Sequence, residues 1–307
     1  MIPYDYPHSI PRVNLQLKQT TRAWTRYSVD FPVAQPTPYR ESNTTYGEYF
    51  RPNIDGDVPL VVLSHGWGDR SVFPCKLLAR AFAKRGIASF VLYLVFHSRR
   101  LPDVIKNRLP DLTAEEWFRG YQISVVDIRQ IVDWAIAMEG ISKEHIAAMG
   151  ISLGGFISAI AMGIDKRIKA GVLLTAGGNS EKIVQMSRVT TLRKRYKRSE
   201  AEYNEIQNCY AQYLAEVAEK GLENVSPVRE SFLTDPMTFA HLLRQRPLLM
   251  INALWDEFIA KEATLDFWEA CGKPDISWYP GTHASIWLWY PLILKQTTNF
   301  MKSTFGL

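Results

Sequence analysis

The stretch "AAMGISLGGFIS", residues 147–158, sets a serine between an apolar run and a helical pattern. Ala147, Ala148 and Met149 read as the end of a buried strand, and Leu153 to Ile160 as the start of a helix. Ser152 sits at the corner, flanked by Gly150, Gly154 and Gly155. A serine there can be an ordinary N-cap, its hydroxyl accepting a hydrogen bond from an orphan helix amide. It can also be a nucleophile held on a strained strand-to-helix turn. The glycines favour the second reading. An abrupt turn brings backbone segments together, so a side chain at 150 or 154 would collide. The serine itself must then adopt a sparsely populated φ/ψ.

Working outward, apolar runs alternate with helical periodicity. "LVVLS" (60–64), "IASFVLYLV" (87–95), "HIAAMG" (145–150), "KAGVLLTAG" (169–177), "PLLMINA" (247–253) and "DISWYP" (275–280) read as strands. Near-continuous apolarity marks strands buried on both faces. Residues 72–86, 120–140, 153–163, 260–272 and 284–303 read as helices. Strand alternating with helix predicts an α/β fold, a mostly parallel central sheet with helices on both faces. "AWTRYSVDFP" (23–32) and "TYGEYFRP" (45–52) read as antiparallel edge strands. Residues 1–23 read as irregular, and 97–113 as a polar, proline-containing connection.

Residues 180–245 break the alternation. Tyr203, Ile206, Tyr210, Tyr213, Leu214 and Val217 recur at helical spacing, and Gly221 ends that helix. Such a piece is far longer than an ordinary αβ connection. The expected organisation is one domain, 1–307, with an N-terminal arm and edge strand over 1–44 and a helical cap insertion over 180–245.

Of 307 residues, 47% are hydrophobic and 22% charged, as in a folded globular chain. The net charge of +5 is concentrated: residues 181–200 hold seven basic and two acidic side chains. The run "RKRYKR" (193–198) reads as a solvated helix face able to steer acidic substrates, and too short to make nucleic acid the expected partner. Cys75, Cys209 and Cys271 show neither metal spacing nor a disulfide framework, so a reduced, cytoplasmic compartment is expected, with no metal. No apolar run approaches the roughly 18 residues of a spanning helix. "MIPYDYPHSIPRVNL" lacks the pattern of a signal peptide. Whether the chain forms a homo-oligomer is not legible.

A serine hydroxyl needs a base. Among six histidines, His283 in "WYPGTHAS" follows the last strand, at the carboxyl edge that also holds Ser152. His97 follows a strand end as well and stays open on topology alone; His8, His145 and His241 are badly placed. The base needs a carboxylate to orient it. Asp256 in "INALWDEF" lies just past the strand 247–253, with Glu257 as its local competitor. The oxyanion of a tetrahedral intermediate needs amide donors, and "LVVLSHGWGD" brings His65-Gly66-Trp67-Gly68 to the same edge. The backbone N–H groups of Trp67 and Leu153 are the candidates. His65, Gly66, Tyr203 and Trp287 are candidates for the wall of an apolar substrate pocket.

The order Ser152, Asp256, His283, with "SHGWGDR", "GISLGGF", "LWDEF" and "GTHAS", resembles the α/β-hydrolase superfamily over roughly residues 45–305. Within it the chain is similar to the dienelactone hydrolase, acetyl xylan esterase and prolyl-oligopeptidase-like esterase group. The resemblance implies the α/β-hydrolase fold and cleavage of a small-molecule carboxylic ester through an acyl-enzyme, without a cofactor. A peptidase or acyltransferase on the same triad, or a non-catalytic hydrolase-fold binding protein, are the alternatives. No β-propeller precedes this region, and the basic insertion lies outside the minimal fold, so the substrate does not carry over.

Overall fold

The computed structural model describes residues 2–68 and 72–307; Asp69 and Arg70 of the "SHGWGDR" motif lie outside the described residues. Among those described, nine strands form one sheet in the order β1-β2-β3-β5-β4-β6-β7-β8-β9. They are β1 (Asn14–Thr20), β2 (Trp24–Pro32), β3 (Thr44–Pro52), β4 (Val58–Ser64), β5 (Ala88–Tyr93), β6 (Ile141–Ile151), β7 (Ala170–Leu174), β8 (Leu248–Ala253) and β9 (Asp275–Tyr279). The ladders joining β1 to β2, β2 to β3 and β3 to β5 are antiparallel, and those among β4 to β9 are parallel.

The helices are α1 (Val72–Ala83), α2 (Asp103–Lys106), α3 (Ala114–Ala137), α4 (Leu153–Ile164), α5 (Ser180–Met186), α6 (Thr190–Tyr196), α7 (Glu200–Lys220), α8 (Pro236–Phe239), α9 (Lys261–Ala270) and α10 (Tyr290–Phe305). Strand side chains alternate between faces. Leu60 and Val62 therefore join the core with α3, α4, α7 and α9, while Val61 and Leu63 join the core with α1 and α10. Each such fully buried aliphatic side chain contributes about 1.5–3 kcal/mol. Covering both faces is what makes these strands read as unbroken apolar runs. No described helix is long and apolar enough to cross a membrane.

Three sequence expectations change. Residues 14–20 are a strand, β1, not irregular chain. All seven of its side chains are exposed, and Leu15 and Leu17 are its only apolar residues, too few to mark a buried face. The helix expected over 120–140 begins at Ala114, where Thr113 and Glu116 form a reciprocal capping box. The connection 97–113 holds α2 and two shorter helical turns. Between β7 and β8 the chain is helical, as the periodicity of 203–217 indicated. Ile206, Tyr210, Tyr213 and Val217 are the buried residues of α7.

The chain leaves β4 for β5 on one side and then crosses to β6 on the other. The carboxyl ends of β4 and β6 thus flank the point where strand order reverses, the crevice in which open α/β sheets bind ligands.

Candidate active site

Ser152 follows β6 with φ 52° and ψ −117°, a region L-residues with a Cβ enter only under constraint. The constraint is visible in the glycines. A Cβ on Gly150 would lie 2.0 Å from the Gly154 carbonyl oxygen, and one on Gly154 would lie 2.2 Å from that of Ser64. Only bare backbone allows β4, β6 and the start of α4 to meet so closely. The Ser152 N–H donates to the Leu174 carbonyl at 2.8 Å, and the Ser152 carbonyl accepts from Gly155 N–H at 2.8 Å. The hydroxyl does not cap α4. It makes no hydrogen bond among the described residues, so it does not touch His283 in this structure. Such bonds are often open without substrate.

Asp256 and His283 are brought together. Asp256 Oδ2 lies 2.7 Å from His283 Nδ1, both side chains largely buried. Asp256 Oδ1 accepts from the backbone N–H groups of Phe258 and Ile259, each at 2.9 Å, which fixes the carboxylate. An ionised carboxylate only accepts, so Nδ1 carries the proton and Nε2 presents a lone pair. Glu257, the local competitor, does a different job. Its carboxylate accepts the backbone N–H of His283 at 2.9 Å and so positions the loop rather than the imidazole. Phe156, one turn into α4 from Ser152, packs with Ile259, three residues past Asp256, which ties the serine corner to the carboxylate turn.

The other histidines are occupied elsewhere. His97, left open by topology, is buried, with Nδ1 2.9 Å from the Val95 carbonyl and Nε2 accepting Gly68 N–H at 3.1 Å. His65 is fully buried: Nδ1 lies 2.7 Å from the Gly66 carbonyl, and Nε2 accepts Leu94 N–H at 3.1 Å. Burial, with the nearby His97 adding to it, pushes the His65 pKa down to about 3 and keeps the ring neutral. The two rings meet edge-on at 4.9 Å and strap the loop after β4 to the loop after β5. The second loop carries positive φ at Phe96 and Ser98. It is anchored by the fully buried Arg100, which donates to Asp127 Oδ2 at 2.6 Å and to the Tyr93 carbonyl at 2.9 Å. His145 stacks on Phe305 at the far end of β6. Among the described residues, no three of His, Cys, Asp and Glu gather as a metal site would require.

Residues 59–288 match the family described as alpha/beta hydrolase fold. The chain belongs to that family.

The solved structures agree on the fold of this α/β-hydrolase. An acetyl xylan esterase from Paenibacillus sp. R4 superposes with a TM-score of 0.67 at 18% identity, over 95% of this chain and 89% of that one. Acetyl xylan esterase 1 from Thermoanaerobacterium sp. JW/SL YS485 gives 0.65 at 15% identity, over 96% and 88%. The α/β-hydrolase GrgF from Penicillium sp. sh18 gives 0.61 at 17%, over 92% and 99%. No curated protein sequence matches the chain.

The cavity nearest the oxyanion candidates is not the one the expected wall residues would build. A narrow cavity of about 20 Å³ opens beside the loop after β4. Trp67 and Leu153, whose amides are the oxyanion candidates, both line it, with Phe96, His97, Trp117 and Tyr121. Leu153 opens α4, so its N–H has no carbonyl within the helix. None of the four expected wall residues lines it. His65 is wholly inside the protein, and Gly66 is buried with its carbonyl held by His65. Tyr203 lies on α7 among the charges of Lys182, Glu181 and Asp266. Trp287 packs against the core on the α1 and α10 face. The lining of this cavity includes an aromatic run: Trp67 meets Trp117 at 5.5 Å between centroids, Trp117 meets Tyr121 at 5.5 Å, and His97 meets Trp67 at 5.3 Å. Its one sequence signal is the i, i+4 aromatic pair of Trp117 and Tyr121 at the start of α3. Nothing local shows that the pair faces the loop after β4.

Proposed function

We propose that this α/β-hydrolase is a serine carboxylesterase acting on a small-molecule ester through an acyl-enzyme. The observation that carries the reading is the backbone of Ser152, a non-glycine residue held at φ 52° with its hydroxyl left out of the helix cap. Strain of this kind, on the order of 1–3 kcal/mol, persists where a function needs the geometry. The esterases among the similar folds agree with it.

In this reading His283 Nε2 takes the Ser152 proton as Oγ attacks the ester carbonyl carbon. The carbonyl π electrons move to oxygen, and the N–H groups of Trp67 and Leu153 donate to the oxyanion. As the C–O bond to the alcohol breaks, His283 returns the proton to the leaving oxygen. Asp256, 2.7 Å from Nδ1, stabilises the imidazolium between these transfers. Water then attacks the acyl-enzyme with His283 again as base, releasing the acid and restoring Ser152. The cavity beside Trp67 and Leu153 receives the acyl group, and the helical segment from α5 to α8 acts as a cap over this edge.

The test is labelling with a fluorophosphonate, which forms a covalent adduct with an activated serine. Mass spectrometry of wild-type protein is expected to show one adduct, on Ser152, and none in Ser152→Ala. Undiminished labelling of Ser152→Ala would remove the assignment.

A further inference from the structure

We infer that α6 and its flanks form a cationic strap across the active site that recognises a negatively charged group on the ester; this rests on the esterase reading. One anchor lies beside the proposed base. Ser187 Oγ donates to the Glu257 carbonyl at 3.0 Å, and Arg188 N–H donates to the same oxygen at 2.8 Å. Glu257 is the residue whose carboxylate holds the backbone of His283. The other anchor lies beside the cavity. Arg195 Nη2 sits 2.7 Å from Asp111 Oδ1, and the next residue, Leu112, lines the cavity with Trp67 and Leu153. The seven residues of α6 span about 10 Å between these anchors, and none of them is buried.

Only part of the charge on this strap is used internally. Arg198 faces Glu181 at 3.6 Å, and Lys182 pairs with Asp266. Among the described residues Arg188, Arg193, Lys194 and Lys197 make no ion pair. All four are exposed. The surplus on 181–200 equals the net charge of the entire chain, so the rest is nearly neutral. A charge excess kept for solubility would be spread over the surface. Concentrated at the rim of a narrow site, it raises the local concentration of an anionic substrate. A carboxylate, sulfate or phosphate on the ester relieves the repulsion among these cations. One short cluster offers too few contacts for a nucleic-acid backbone.

The experiment compares phenyl acetate with 4-carboxyphenyl acetate, which share an acyl group and differ in charge. Turnover is measured at about 20 mM and about 500 mM salt, on either side of strong screening. Expected is a kcat/KM ratio of about ten in favour of the carboxylated ester at low salt, shrinking to about two at high salt. Arg188→Gln combined with Lys194→Glu is expected to bring the low-salt ratio to about one, chiefly through KM. Lys302→Glu, at the end of α10, keeps the wild-type ratio. A wild-type ratio of one, or an unchanged ratio in the double variant, overturns the inference. So does binding of anionic phospholipid vesicles through Arg188 and Lys194 with no preference between the two esters. Should Ser152→Ala keep full turnover with the preference intact, the nucleophile is wrong and the strap stands; loss of the preference alone leaves the nucleophile in place.

Discussion

At the carboxyl edge of β4 and β6 the backbone itself is the packing surface: Gly154 sits where a Cβ would meet the Ser64 carbonyl at 2.2 Å. Across the site, α6 buries none of its residues, and its moorings include hydrogen bonds from Ser187 and Arg188 and an exposed ion pair at Arg195. The first region has little room to change, because a Cβ at Gly150 or Gly154 would meet main chain at 2.0–2.2 Å. The second can exchange side chains freely, because water is its neighbour. A hydrolase that must fix its bond-breaking atoms to within a fraction of an ångström, yet fit one particular substrate, gains from that division. On the proposed reading, chemistry sits on the rigid rim and selectivity on the solvated strap.

The comparison breaks most readily at Ser152. Ser152→Ala and His283→Ala are each expected to lower ester turnover by about 10⁵–10⁶, with the double variant no worse than either, because the two groups act as one unit. Steady-state kinetics with a p-nitrophenyl ester decides it. Additive losses would mean that the two side chains do not cooperate, and the rim would lose its catalytic meaning.

A middle-sized effect sharpens the rim's rigidity. His65 titrates at about 3 in the folded chain and near 6.5 once unfolded. The unfolded state therefore binds a proton as pH falls below about 6.5, while the folded state stays neutral. Stability is nearly full above that value and declines on acidification, by about 2 kcal/mol between pH 6.5 and 4.5 from this group. Urea midpoints across that range should fall with pH in wild type and fall much less steeply in His65→Asn. A wild-type midpoint that is flat over the range would mean the ring is not locked in its neutral form.

The smallest effect belongs to the strap. Arg193→Glu is expected to move folding stability by no more than about 1 kcal/mol, since the residue is exposed, away from the core, and only the dipole at the end of a short helix acts on it. A larger loss in the urea midpoint would show that α6 is part of the packed structure and would erase the contrast between the two regions.

Most of the sheet was legible because its signals are local. β4, β5, β7 and β8 are buried on both faces and read as apolar runs; α4 and α7 declare themselves by period and glycine. The carboxylate–histidine pair was also within reach, because 256 and 283 each follow a strand and all parallel strands end at one edge. β1 was missed because its seven side chains are all exposed and only Leu15 and Leu17 are apolar, too short a signal to mark a buried face. The start of α3 was missed although Thr113 and Glu116 carried the capping-box spacing.

The sequence by itself determined the strand-to-helix corner at Ser152 and the alternating α/β order. Both are encoded within a few residues, by volume and period. Only the tertiary structure decided that His97 supports the Gly68 amide, that Trp117 and Tyr121 wall the cavity, that Arg100 and Asp127 anchor the loop after β5, and that the basic helix lies between Glu257 and Asp111. Those outcomes depend on contacts between segments 27 to 84 residues apart. Side-chain chemistry permits many such pairings, and the packing of the whole chain selects one.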